Sequence, residues 1–239
     1  MQPKRIAVVL DIDGTLIDSD SFLTVSRRPH VDAFLDFCFA QCAAVAIWTN
    51  ASSSWAQSVV DILRDRDGRV RPWAFVWSGS KSTPVWKSRG SLYDGGWWLG
   101  DGCHDLHANA PGAKRLGKVF KGRQRAAQGF VPSRTIIIED TPSNCRHNFG
   151  NAVYVPSYEL GADGAEADGV LDVLLQYLQH LQHACDDVRS VEKRGWLYDQ
   201  ASWRAPVRVT SDRDRPCACW TCLQPAALQQ ERREEVPTR

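Results

Sequence analysis

Apolar residues in this chain fall into two patterns. Ile6-Ala7-Val8-Val9-Leu10 is an unbroken, partly β-branched run that stops at Asp11-Ile12-Asp13-Gly14. Such a run, closed by a turn, is the pattern of a strand buried on both faces of a parallel sheet. Ala43 to Thr49 (AAVAIWT), Thr135 to Ile138 and Ala152 to Val155 repeat it. Between them the spacing changes. Val31, Phe34, Leu35, Cys38, Phe39 and Cys42 form an apolar stripe at helical period. Ser52, Ser53 or Ser54 can cap a second helix carrying Trp55, Val59, Ile62 and Leu63. Lys114 to Lys121 reads as helical, and Leu171, Leu174, Leu175, Leu178 and Leu181 face a further helix. Strands alternating with helices predict an α/β fold: a Rossmann-like parallel sheet with right-handed crossovers, flanked by helices.

The alternation lapses twice. From about residue 64 to 112 the chain is rich in Gly, Ser, Pro and Trp, with Trp73, Trp77, Trp86, Trp97 and Trp98. This predicts an insertion with little regular structure or a small antiparallel sheet, in which Trp73 to Trp77 is a short strand. Its tryptophans either pack the insertion on the core or line an aromatic groove. Beyond about residue 200 the sequence turns polar and charged. Residues 1–200 are therefore expected to form the domain and 201–239 a disordered tail. Cys217, Cys219 and Cys222 cluster in that tail without a matching second pair. They offer at most three thiolates, and zinc binding there stays open.

Composition narrows the picture. The 239 residues suffice for one α/β domain with a substantial core. Lys and Arg number 29 against 28 Asp and Glu, so the net charge of +1 carries no global signature of nucleic acid or membrane surface. No apolar stretch nears the roughly 18 residues of a membrane span. A strand within a few residues of Met1 leaves no room for a cleaved signal. The expected location is intracellular, nucleus or cytoplasm alike. Eight cysteines are too sparse for a disulfide scaffold, and Cys38 and Cys42 read as core thiols.

Three of the expected strands end in polar groups at one edge of the sheet: Asp11 and Asp13, Thr49 and Asn50, Glu139 and Asp140. Ligand chemistry in such sheets lies outside the carboxyl ends of the strands. A basic residue, Lys114 or Lys118, falls between the last two. Carboxylates suit a hard cation such as magnesium, while a hydroxyl and an ammonium suit phosphate oxygens. The set fits phosphoryl transfer, in which positioning and charge neutralisation do most of the catalysis. Aspartate is an established nucleophile for such chemistry. Taken singly, Asp13-Gly14 could be an acidic surface turn and either lysine a solvated helix face.

Asp11-Ile12-Asp13-Gly14-Thr15, Thr49, Lys114 and Glu139-Asp140 resemble the four motifs of the haloacid dehalogenase (HAD) superfamily. Arg28-Pro29-His30-Val31-Asp32-Ala33-Phe34-Leu35, Ile47-Trp48-Thr49 and Ile138-Glu139-Asp140-Thr141-Pro142, with Asn148 to Val155, resemble its NLI-interacting-factor-like group. That group includes phosphatases of the RNA polymerase II C-terminal domain. The resemblance covers roughly residues 5 to 180. It implies that Asp11 is the nucleophile and Asp13 the proton donor and acceptor. It implies that Asp11, the main-chain carbonyl of Asp13 and Asp140, with Glu139 beside them, serve Mg2+. Thr49, with Asn50 next to it, would bind the phosphoryl group; Lys114, placed by Lys-x-Leu, would neutralise it, with Lys118 as the fallback. Gly14 stands where the polymerase phosphatases usually carry glutamate. The stretch from Leu16 to Arg28 is short, leaving little room for the small hairpin that helps those enzymes bind peptide. No full lid domain is evident, and a capless site favours a phosphoprotein over small metabolites. The expected partner is thus a phosphoprotein substrate, with nucleic acid disfavoured and no membrane. A polynucleotide 3′-phosphatase, or a non-catalytic module keeping the fold, are the alternatives.

Overall fold

The first apolar run forms β1 (Ala7–Leu10), every residue of it buried. The computed structural model describes residues 4–21, 24–84 and 112–204. After β1 come β2 (Ile17–Ser21), β3 (Thr24–Arg27), α1 (Val31–Gln41), β4 (Ala44–Trp48), α2 (Ser53–Ile62) and β5 (Val76–Trp77). Then follow β6 (Thr83–Pro84), β7 (Gly112–Ala113), α3 (Gly117–Phe120), α4 (Arg123–Ala127) and β8 (Thr135–Glu139). The described chain closes with β9 (Ala152–Tyr154), α5 (Val170–Ala184) and α6 (Gln200–Arg204).

Five strands make one sheet in the order β5-β4-β1-β8-β9, and every pairing in it is parallel. The expected α/β, Rossmann-like class is thereby borne out. Successive side chains point to opposite faces. Val8, Leu10, Val45, Ile47, Ile136 and Ile138 join the larger core with α1, α2 and α5. Ala7, Val9, Ala46, Trp48 and Ile137 join a second core with Leu116, Val119 and Phe130. Burial on both faces explains why these strands carry no polar alternation. Their register sets Leu10 level with Ile47 and Ile138, so the polar residues after each strand emerge together.

The leucine stripe of α5 packs toward α1 through Leu171, Leu174, Leu178 and Leu181. Tyr177 on the same helix stacks on Trp196, with ring centroids 5.3 Å apart, and meets Trp203 edge-on at 5.2 Å. Both indoles find acceptors: Trp196 donates to the Tyr154 carbonyl and Trp203 to that of Trp196. Core packing thus runs on to Trp203, just past the expected boundary at residue 200. Cys38 and Cys42 are buried, as expected of core thiols.

Three expectations change. β2 and β3 do pair as an antiparallel hairpin, although the stretch before Arg28 looked too short for one. Strands of five and four residues suffice, and the polar sequence Asp18-Ser19-Asp20-Ser21 hid the first of them. The helix expected over Lys114 to Lys121 is only α3, which starts at Gly117, so Lys114 precedes it. Trp73 and Trp77 of the insertion pack on the core, Trp73 against Phe39 and Trp77 against Trp48. Only Val76–Trp77 of the expected strand pairs. Trp86, Trp97 and Trp98, like the cysteine cluster in the tail, lie outside the described residues.

Candidate active site

Asp11 leaves β1 still held to the sheet, its N–H donating to the Ile138 carbonyl at 3.0 Å. The chain then turns back on itself. Gly14 adopts φ +74, its N–H reaches the Ile17 carbonyl at 2.8 Å, and Leu16 bonds back to Ile12. A positive φ is strained for any residue with a Cβ. Space forbids one as well: a Cβ on Gly14 would sit 2.4 Å from Asp140 Oδ2 and 2.6 Å from Ser157 Oγ. The turn rests on Arg28, which is fully buried and donates to the carbonyls of Gly14 and Thr15. Arg28 is itself paired with Asp168 at 2.8 Å and lies over the Tyr158 ring.

β4 delivers Thr49, whose N–H bonds the Trp77 carbonyl and whose hydroxyl accepts from Ala51 N–H. The same hydroxyl reaches Asp13 Oδ2 at 3.4 Å. The other oxygen of Asp13 accepts from the Trp55 indole at 2.8 Å. Burial pushes the Asp13 carboxyl above its usual range, and the Asp11 charge adds to the push. The Trp55 and Thr49 hydrogen bonds offset part of it. Asn50 plays a different part. It donates to the Gly112 carbonyl at 3.0 Å and accepts from Ser82, tying the β6–β7 pair to β4.

Lys114 is wholly buried, its ammonium set between Asp11 and Glu139, the latter at 2.6 Å. No helix holds it there. Its N–H donates to the Asn144 carbonyl at 2.8 Å, its carbonyl accepts from the Asn148 side chain, and Asn148 Oδ1 takes the Leu116 N–H. Burial alone would lower the Lys114 pKa, but two carboxylates outweigh it and keep the ammonium charged. Glu139 is pushed upward by burial and by Asp11, while Lys114 pulls it back. Its oxygens also accept from Thr141 N–H and Asn144 Nδ2. Lys118 stands apart, exposed, with its ammonium on the Lys81 carbonyl.

These groups converge on a cavity of about 180 Å3 lined by Asp11, Asp13, Thr49, Asn50, Asp140 and Asn144. Carboxylate oxygens of Asp11, Glu139 and Asp140 lie within 4.8 Å of one another. The one ammonium pairs with two of these three carboxylates, Asp11 and Glu139, and a hard oxygen-seeking cation fits the surplus negative charge. Trp55, Arg28, Asn144 and Asn148 escaped the sequence reading. Trp55 was one position of an apolar helix stripe, and Arg28 and Asn148 only letters in a motif.

Paired aspartates after one strand, a threonine after its neighbour, a buried lysine and a second acidic pair thus gather at one edge of the sheet. The chain belongs to the NLI interacting factor-like phosphatase family, whose model matches residues 6–80 and 98–189. No curated protein sequence matches it. Among solved structures it is similar to the fission yeast RNA polymerase II CTD phosphatase Fcp1 bound to beryllium fluoride. That match has 15% identity, a TM-score of 0.49, and covers 75% of this chain and 63% of that one. A second Fcp1 structure, described as an essential RNA polymerase II CTD phosphatase, has 16% identity and a TM-score of 0.42. It covers 75% of this chain and 51% of the other. The chain therefore spans under two thirds of the length of both. None of the described helices is long and apolar enough to cross a membrane.

Proposed function

We propose that this chain is a magnesium-dependent phosphatase that removes phosphate from phosphoserine or phosphothreonine in a protein, such as the RNA polymerase II C-terminal domain. The observation that carries the reading is the convergence of Asp11, Asp13, Thr49 and Asp140 on one cavity, with Lys114 buried against Asp11. A carboxylate of Asp11 attacks phosphorus, and the bond to the serine or threonine oxygen breaks. Asp13, whose raised pKa suits a carboxyl that must carry a proton, gives that proton to the departing oxygen. Asp13 then takes a proton from water, which attacks the phospho-aspartate, frees inorganic phosphate and restores Asp11. Thr49 donates to a phosphoryl oxygen once it turns from Asp13. The Lys114 ammonium offsets negative charge on Asp11 and the transferring group.

Mg2+ would be held by the Asp11 and Asp140 carboxylates and the main-chain carbonyl of Asp13. When bound it supplies electrostatic stabilisation of the phosphoryl oxygens. Glu139 has both oxygens engaged by Lys114, Thr141 and Asn144. It serves this site by fixing Lys114. Residues 1 to about 204 are read as one phosphatase domain with an insertion at about 64–112, the tail lying beyond. Phosphate release from p-nitrophenyl phosphate, with and without magnesium, tests the chemistry in wild type and Asp11→Asn. Magnesium-dependent turnover lost in the variant is expected; no turnover by the folded wild type between pH 5 and 8 would defeat the reading.

A further inference from the structure

Lys114 opens a run of cations, Lys114, Arg115, Lys118, Lys121, Arg123 and Arg125, and no Asp or Glu follows until Glu139. A near-neutral whole chain hides it. Part of this run is drawn into an arc beside the cavity. Arg115 Nη2 lies 3.1 Å from His147 Nε2, and Arg146 is the next residue to that histidine. On the other side Lys118 donates to the Lys81 carbonyl at 2.7 Å, which brings a further lysine alongside. Lys81, Arg115, Lys118, Arg146 and His147 are all exposed.

The chain links the arc to the surroundings of the cavity at three places. Lys81 precedes Ser82, whose hydroxyl holds Asn50. Arg115 follows Lys114, and Arg146 stands two residues beyond the lining residue Asn144. Among the described residues no carboxylate lies within ion-pair distance of Lys81, Arg115, Lys118 or Arg146. Arg27, Arg64, Arg69 and Arg189, on other surfaces, each have one. Loss of solvation lowers the pKa of Lys118 and of His147 first, and the neighbouring cations add to it: Arg115 and Lys81 on Lys118, Arg115 and Arg146 on His147. A like-charged cluster beside a cavity focuses anions toward it.

We propose that this arc binds a second anionic group on the substrate polypeptide, so that a phosphorylated or acidic residue flanking the scissile phosphate strengthens binding. The assignment rests on the reading of the cavity as a protein phosphatase site. A single nucleic acid strand would carry charge too, but such strands are gripped by successive exposed aromatic faces. Near the arc the described residues expose only Phe149 and, at its margin, Tyr154, while Trp77 is covered by the Arg125 guanidinium at 5.0 Å. A peptide needs only the charges.

The test uses the 239-residue chain as Asp11→Asn, expected to bind without turning over, and fluorescent phosphoserine peptides of equal length. One peptide has neutral flanks, one a second phosphoserine, and one glutamates in its place. The second anion is expected to tighten binding about tenfold, as two or three exposed ion pairs would. The gain should shrink with added salt. Arg115→Glu should abolish the gain, and Arg146→Gln should reduce it, in chains whose melting is normal. Whether phosphate or glutamate gives the larger gain identifies the anion. Equal affinity for the neutral and doubly phosphorylated peptides would overturn the proposal. So would displacement of the peptide by a single-stranded oligonucleotide at much lower concentration, which would assign the arc to nucleic acid. Turnover is read separately with wild type: selective binding without release of phosphate would defeat the phosphatase reading and leave the arc standing.

Discussion

Trp55, in the first turn of α2, donates its indole N–H to Asp13, beyond the end of β1, across 2.8 Å. The bond joins two elements that meet only in the folded chain. It fixes one oxygen of Asp13, while Thr49 lies at 3.4 Å from the other. The carboxyl is therefore oriented before any substrate arrives.

Trp55→Phe keeps most of the buried ring and removes the donor. We expect kcat to fall about tenfold, in line with one lost hydrogen bond to a charged group, with KM little changed. The bond lowers the Asp13 pKa. Its loss should move the pH limb of kcat belonging to that group upward. A pH–rate profile of both proteins checks the direction; an unmoved limb would exclude the role.

Gly14→Ala places a methyl where Asp140 Oδ2 stands and imposes a left-handed conformation on alanine. The backbone term alone costs about 1–2 kcal/mol. Displacement of Asp140 should also raise the magnesium concentration that gives half-maximal activity. Titration of activity with magnesium, together with a melting curve, reads both effects.

Removing the ammonium in Lys114→Met leaves Asp11 and Glu139 buried with no cation between them. Activity should vanish, and the chain should lose about 3–5 kcal/mol, the usual loss on breaking a buried pair. Lys114→Met combined with Glu139→Gln should recover much of that stability and none of the activity. Denaturant unfolding beside a turnover assay distinguishes the two roles.

Lys193 is nearly buried, its ammonium bonded to the carbonyls of Val188 and Val191. Burial pushes its pKa down to about 8 from an ordinary 10.5. Between those values the unfolded chain binds more protons than the folded one, so stability rises with pH across that window. Below about pH 8 the full penalty applies, up to about 3 kcal/mol. Unfolding free energies from pH 7.5 to 10.5 should therefore climb more steeply in wild type than in Lys193→Met.

What could be read from the sequence was set by distance along the chain. The ends of β1, β4 and β8 were legible because each places its polar residues directly after an apolar run. Asp11, Thr49 and Glu139 needed nothing else. Lys114 and Lys118 could not be separated that way. Anchors far along the chain, Asn144 and Asn148, decide between them, and no local periodicity reports such contacts. Trp55 looked like any apolar residue of a helix stripe, since its packing face and its polar N–H belong to one side chain. The β2–β3 hairpin was missed for the opposite reason: its first strand is almost wholly polar. The cationic arc was lost in a charge sum that balanced it against acids elsewhere.

Thr83–Pro84 pairs with Gly112–Ala113, and Asn50 clips Gly112 to the end of β4. The chain before Lys114 is thus clamped at both sides of a closed neck, while the lysine itself hangs from Asn144 and Asn148. Whatever sequence runs between Pro84 and Gly112 leaves and re-enters through that neck. Each doubling of its length costs only about 0.6 kcal/mol of closure entropy. Evolution, or an engineer, can therefore alter that segment and leave the reaction centre where it is.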